Sequence, residues 1–242
     1  MQIYSRTDIG KLRSSNQDAC FTEMLSETTA IAIVCDGMGG AKAGNVASET
    51  AIKVMSEYVK NSYRQTMNTD DIAKMLKSAV ASANIVIYDM SVNDENMSGM
   101  GTTVVAVVIT PDCVIVCHVG DSRAYLYSNG TLSQLTRDHS MVQSLVESGK
   151  LTPEQARVHP RKNIITRALG AEEDVLPEVG EYDISAGDTV LLCSDGLSNF
   201  VEPDNMADII KNNDLSKVSD VLTDTANQNG GGDNITVVTV TL

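Results

Sequence analysis

The sequence lacks any apolar run approaching the ~20 residues that a membrane-spanning helix requires. Its opening, MQIYSRTDIGKLRSS, has no apolar centre of the kind a secretory signal carries. A cytoplasmic protein without a membrane partner is therefore expected. Cysteine is sparse: five residues, an odd number with no paired framework, which suits a reducing compartment. Basic residues are also outnumbered, 18 against 32 acidic ones, for a formal net charge of −14. Such a surface offers no charge complementarity to nucleic acid or to an anionic membrane. No Pro- or Ser-rich linker, low-complexity tract or internal repeat divides the chain, and no G-x-x-x-x-G-K-[ST] nucleotide loop is present.

What is there is enough to build one large domain spanning residues 1–242. Hydrophobic residues make up 42% of the chain, sufficient to bury a sizeable core. Short β-branched runs at 30–35, 102–110, 113–119, 124–127, 189–193 and 235–242 read as strands. Pro111-Asp112 and Ser128-Asn129-Gly130 read as hairpin turns. Helical spacing of Val46, Ile52, Met55 and Val59 predicts a helix over 45–63. Ile72, Met75, Leu76, Ala79, Val80 and Ala83 predict another over 70–90, with Thr69 as its N-cap. Two more helices are expected at 203–211 and 215–227. Strands and helices cluster rather than alternate, which favours an α+β fold with antiparallel sheets over a doubly wound parallel sheet. Cys113-x3-Cys117 has the look of a zinc pair, but both cysteines lie in strand sequence and no second pair completes a site, so core cysteines are expected.

Four segments set an aspartate beside glycine at one end of an apolar run: Cys35-Asp36-Gly37-Met38-Gly39-Gly40, Gly120-Asp121-Ser122-Arg123, Cys193-Ser194-Asp195-Gly196 and Gly231-Gly232-Asp233-Asn234. A buried strand ending in a carboxylate is a rigid arm for an anionic oxygen, and glycine lets the backbone turn beside it. One Asp-Gly is ordinarily just a turn. Several such arms converging would repel one another strongly unless cations lay between them. Hard divalent ions, Mg²⁺ or Mn²⁺, prefer this oxygen-only chemistry.

These segments resemble, in order along the chain, the motifs of the metal-dependent type 2C protein phosphatase family, in the manner of its compact bacterial members. Arg13-Ser14-Ser15-Asn16-Gln17-Asp18 is similar to the first motif and Asp36-Gly37-Met38-Gly39-Gly40 to the signature. Gly99-Met100-Gly101-Thr102-Thr103, Val119-Gly120-Asp121-Ser122-Arg123, Ser194-Asp195-Gly196 and Asp233-Asn234-Ile235-Thr236 follow. The resemblance implies two antiparallel sheets packed face to face with helices on both outer sides. It also implies hydrolysis of phosphoserine and phosphothreonine in proteins by water activated between two divalent ions, with a third ion in bacterial members. By the same resemblance Asp36 bridges the two metals, the Gly37 carbonyl binds the second, and Asp195 and Asp233 complete the first. Asp18 orients the ligands from behind, Asp121 with Asp195 forms the third site, and Arg13 clamps the phosphate. Substrates would be phosphoproteins, including a serine/threonine kinase of the same cell, and the enzyme a monomer.

The sequence departs from the family pattern at Met38, where many eukaryotic relatives carry a histidine that protonates the leaving alkoxide. Of the three histidines, His118 reads as core, His139 as a structural hydrogen-bonding residue, and His159 lies in a polar stretch, 147–163, that resembles the flap of bacterial members. The stretch around Gly99–Thr103 reads as packing behind the metal centre, and Met90, Met97 and Met100 as gap-fillers. Two other functions remain open on the residues alone. One is a hydrolase of small phosphoesters on an unrelated fold; the other is a binding module that has lost catalysis, which the retained aspartates and Arg13 disfavour.

Overall fold

The computed structural model describes residues 1–40 and 43–242. In chain order the elements are β1 (Gln2–Asp8), β2 (Asp18–Met24), β3 (Ala30–Met38), α1 (Ala43–Ser62), α2 (Thr69–Asn93), β4 (Gly101–Thr102), β5 (Val104–Ile109), β6 (Cys113–Val119), β7 (Arg123–Ser128) and β8 (Thr131–Gln134). They continue with α3 (Met141–Glu147), α4 (Pro153–Arg157), β9 (Glu178–Asp183), β10 (Thr189–Cys193), α5 (Asp195–Ser198), α6 (Pro203–Asn212), α7 (Leu215–Gln228) and β11 (Ile235–Thr241). One sheet runs β1-β11-β10-β7-β8 and the other β2-β3-β5-β6-β9, with β4 added to β3. Every strand pairing described is antiparallel, which excludes the doubly wound alternative.

The two-residue period of a strand sorts each run onto two faces. Ala32 and Val34 of β3, Val190 and Leu192 of β10, and Val238 and Val240 of β11 meet between the sheets. Their neighbours Ile31, Ile33 and Cys35 face α1 and α2 instead. Leu191, Cys193, Ile235 and Val237 face α5, α6 and α7. The result is four layers, helices–sheet–sheet–helices, as the resemblance implied. Cys113 and Cys117 both point into the helix-facing core, and all five cysteines are free. Met100 is buried in that core, with Met90 and Met97 packed against it.

Some boundaries differ from the sequence-based expectations. The helix predicted at 70–90 runs Thr69–Asn93, and its cap is Asn68, whose side chain accepts the Asp71 N–H at 2.9 Å, not Thr69. The strand predicted over 102–110 is broken at Thr103, whose N–H turns aside to the Asp36 carbonyl at 2.9 Å. That break lets β4 pair with the end of β3 and extends β3 through Asp36 to Met38. The Ser128-Asn129-Gly130 turn is as expected: Asn129 and Gly130 both have positive φ, 51° and 81°, as a tight hairpin requires. The 147–163 stretch contains the short helix α4, opened by a capping box in which Thr152 and Gln155 exchange side-chain and backbone hydrogen bonds.

Candidate metal centre

The four aspartate motifs meet at one end of the sandwich. A cavity of about 470 Å³ is lined by Arg13, Asp36, Gly37, Met38, Asp121, Asp195 and Asp233, together with Thr103, Asn163 and Ile165. Asp18 lies just behind, fully within the protein. It is the cross-strand partner of Asp36 in the β2–β3 pair, so both carboxylates leave the sheet on the same side.

Each arm is braced by contacts remote in sequence. Asp18 Oδ2 accepts the Ser194 hydroxyl at 2.7 Å, and Ser194 Oγ in turn accepts the Thr236 N–H at 3.0 Å. Asp36 is fixed by Thr103: its N–H donates to Thr103 Oγ1 at 3.0 Å, and its carbonyl accepts the Thr102 hydroxyl at 2.9 Å. Thr103 Oγ1 also lies 2.7 Å from Ser122 Oγ, which ties the Asp36 arm to the Asp121 arm. The Asn234 side chain accepts the Gln17 N–H at 2.8 Å and donates to the carbonyls of Ile9 and Ser15, holding the loop that carries Arg13. Glycine is required where backbones touch. A Cβ on Gly37 would stand 2.0 Å from the Gly44 carbonyl oxygen, and one on Gly196 1.9 Å from that of Asn234.

The electrostatics are those of a cluster short of positive charge. Burial, reinforced by Asp195 and Asp233, pushes the Asp18 carboxyl up to about 7. Burial and the neighbouring Asp18 and Asp195 push Asp36 well above the carboxylate range. Asp121 rises to about 8 through burial and Asp195, and Asp195 to about 6 through burial and Asp233. Asp18 Oδ1 and Asp195 Oδ1 are buried without any hydrogen-bond partner. Orphaned carboxylate oxygens in and just behind an oxygen-rich cleft fit hard divalent cations. Among the described residues the cation nearest this set is Arg13, whose Nη2 donates to Asp233 Oδ2 at 2.7 Å.

The histidines lie apart from this cleft. His118 is buried in β6 with Nε2 2.8 Å from the Arg137 carbonyl, and its ring stacks on His139 at 4.7 Å. His139 Nδ1 accepts the Gly120 N–H at 3.1 Å, while Nε2 faces Glu178 at 3.2 Å. His118, His139 and Glu178 could be grouped as metal ligands, but the guanidinium of Arg167 lies 3.2 Å from His139 Nε2 and 3.3 Å from Glu178. A cation is already supplied there by the protein. His159 does not line the carboxylate cavity; its Nδ1 accepts the Arg161 N–H at 3.1 Å. The bracing residues Ser194, Thr103, Ser122 and Asn234 carry no sequence signal except adjacency to the aspartate motifs.

Comparison with known proteins agrees with this geometry. The model of the protein phosphatase 2C family matches residues 11–231. A serine/threonine phosphatase of Listeria welshimeri is 42% identical over 241 residues, covering 99% of this chain and 95% of the relative. The solved serine/threonine phosphatase of S. agalactiae superposes with a TM-score of 0.92 at 37% identity, covering 100% of this chain and 99% of that one. The catalytic domain of the phosphatase PstP, solved in complex with two manganese ions, has a TM-score of 0.84 at 31% identity, covering 98% and 96%. The chain belongs to the protein phosphatase 2C family. It is therefore a metal-dependent phosphatase, which sets aside both the unrelated small-phosphoester hydrolase and the non-catalytic binding module.

Proposed function

We propose that this enzyme hydrolyses phosphoserine and phosphothreonine in proteins at the Asp36–Asp121–Asp195–Asp233 cleft. The observation that carries the reading is the convergence, in one open cavity, of four carboxylates of which only Asp233 forms an ion pair among the described residues, with Arg13. Asp36, the Gly37 carbonyl, Asp195 and Asp233 are the residues that would hold two ions of Mn²⁺ or Mg²⁺, and Asp121 with Asp195 a third. When bound, such ions supply Lewis acidity and a water of lowered pKa for attack on phosphorus. Asp18 acts from behind, orienting its neighbours through the Ser194 contact. Arg13 lies at the cavity wall and spends only Nη2 on Asp233 among the described contacts. Its other N–H groups are available to grip the phosphoryl oxygens as charge develops on them. Met38 lines the cavity but has no proton to give, and His159 is elsewhere, so the leaving alkoxide takes its proton from solvent in the cleft.

The chain acts as one catalytic domain with residues 147–163 as a flap beside the site. Its partners are phosphoproteins, among them a serine/threonine kinase of the same cell. A cytoplasmic monomer without nucleic-acid or membrane partners accords with the free cysteines and the net charge of −14, and no helix among the described residues is long and apolar enough to cross a membrane. Phosphate release from a phosphothreonine peptide should appear with Mn²⁺, vanish with excess EDTA, and be abolished in folded Asp36→Ala and Asp233→Ala. Wild-type turnover in either variant at saturating Mn²⁺ would remove the site assignment.

A further inference from the structure

A second cavity, of about 460 Å³, opens beneath the flap and shares Asp121 and Asp195 with the first. Three basic side chains line it. Arg123 is engaged by Asp138 through two hydrogen bonds of 2.8 and 2.6 Å, and Arg157 by Glu202 at 2.7 Å. Lys162 is different: it is half-buried, and among the described residues its ammonium makes neither a hydrogen bond nor an ion pair. Its backbone is well anchored. The Lys162 N–H donates to the His159 carbonyl at 3.1 Å, and the arm that follows is fastened by Met141 N–H to the Ile164 carbonyl at 2.9 Å and Thr166 N–H to the His139 carbonyl at 2.8 Å. His139 N–H in turn donates to the Gly120 carbonyl at 2.9 Å, beside Asp121. A lysine on a surface loop would normally extend into water; this one is half-buried in a cleft that it lines together with Asp121 and Asp195. Burial lowers its pKa while the field of Asp195 opposes that shift, as expected of an ammonium facing that carboxylate.

We infer that Lys162 holds down the affinity of the Asp121–Asp195 site for its divalent ion, because its ammonium shares their cleft and is drawn, like the ion, to Asp195. The inference rests on the assignment of Asp121 and Asp195 as a third metal site. A single positive charge that shares a partly enclosed cleft with a dication weakens its binding by on the order of tenfold. The coupling is reciprocal: an anionic substrate group that draws Lys162 aside strengthens ion binding at Asp121–Asp195 by the same factor that the ion strengthens the substrate. The flap thereby reports the presence of substrate to the weakest metal site.

The test is a calorimetric Mn²⁺ titration of the metal-stripped protein, with no substrate present and with folding checked by circular dichroism. Lys162→Gln should tighten the weakest Mn²⁺ dissociation constant about tenfold and leave the tighter ones within about twofold, while Lys162→Arg, which keeps the charge, should leave all of them within about twofold. If the wild-type titration resolves only two events, Lys162→Gln should bring a third into range. An unchanged weakest event, or an equal change in every event, overturns the role given to Lys162. Asp121→Asn separates that failure from a failure of the site: it should eliminate the weakest event, and its persistence overturns the assignment of Asp121 itself and the inference with it.

Discussion

Asp36 is held through its backbone. The Thr103 hydroxyl accepts its N–H, the Thr103 N–H reaches its carbonyl, and the same hydroxyl touches Ser122 next to Asp121. Thr103→Val keeps the shape and removes the hydroxyl, leaving a buried N–H unpaired at a cost of roughly 1–3 kcal/mol. Denaturant titration should show that loss, accompanied by weaker Mn²⁺ binding if Asp36 and Asp121 hold the ions as proposed, because both carboxylate arms lose their common brace. At His139, burial, with His118 and Arg167 adding to it, lowers the pKa to about 4 from an ordinary 6.5. The unfolded chain then binds a proton that the folded one refuses. Stability from this group is complete above pH 6.5 and is lost as pH falls toward 4, by up to about 3 kcal/mol. His139→Gln should flatten that part of the stability–pH curve measured between pH 6.5 and 4.5; an unchanged slope would place the acid sensitivity elsewhere.

Among the elements, the strands invisible in the sequence are β1, β2, β8 and β9, and these are the four edges of the two sheets. Apart from Asp18, their residues are all partly buried or exposed, whereas β5, β6, β10 and β11 are buried throughout. A central strand is covered on both faces and reads as a continuous apolar run; an edge strand meets solvent and looks like loop sequence. Helix α2 shows the same limit at its end, since periodicity locates the helix but not which of two adjacent polar residues caps it. Asn68→Ala should cost about 1 kcal/mol in chemical denaturation while Thr69→Ala costs less, reflecting the Asn68 hydrogen bond to the Asp71 N–H. Equal losses would argue against that cap.

For the molecule as a whole, the clustered carboxylates of Asp18, Asp36, Asp121 and Asp195, all with raised pKa values, are a standing liability that bound cations relieve. Ligands that bind only the folded state add RT ln(1 + [L]/Kd), about 2.7 kcal/mol at 100 Kd. The melting temperature should therefore climb steadily with Mn²⁺ and return to its starting value with EDTA. In Asp36→Ala the metal-free protein should melt no lower than wild type, since the cost of enclosing that carboxyl among the others is gone, and should gain less from Mn²⁺. Calorimetry with and without Mn²⁺ decides this, and an Asp36→Ala variant that gains as much as wild type would contradict it.

The class of fold, the central strands, the long helices and the site aspartates could all be read from the order of residues, because each depends on local pattern: a two- or 3.6-residue period, or an acid beside glycine at the end of an apolar run. The supports of the site depend on distance in space instead. Ser194 reaches Asp18 across 176 positions and Asn234 fastens the Gln17 loop across 217. Serine and asparagine carry no pattern that announces such partners. Only folding two sheets against each other brings their ends together, and only then do Asp18 and Asp36 become neighbours, Arg13 meet Asp233, and Lys162 come to line a cleft with Asp121 and Asp195. Local sequence encodes which side chains bear charge, whereas packing determines which charges must coexist and therefore where cations are needed.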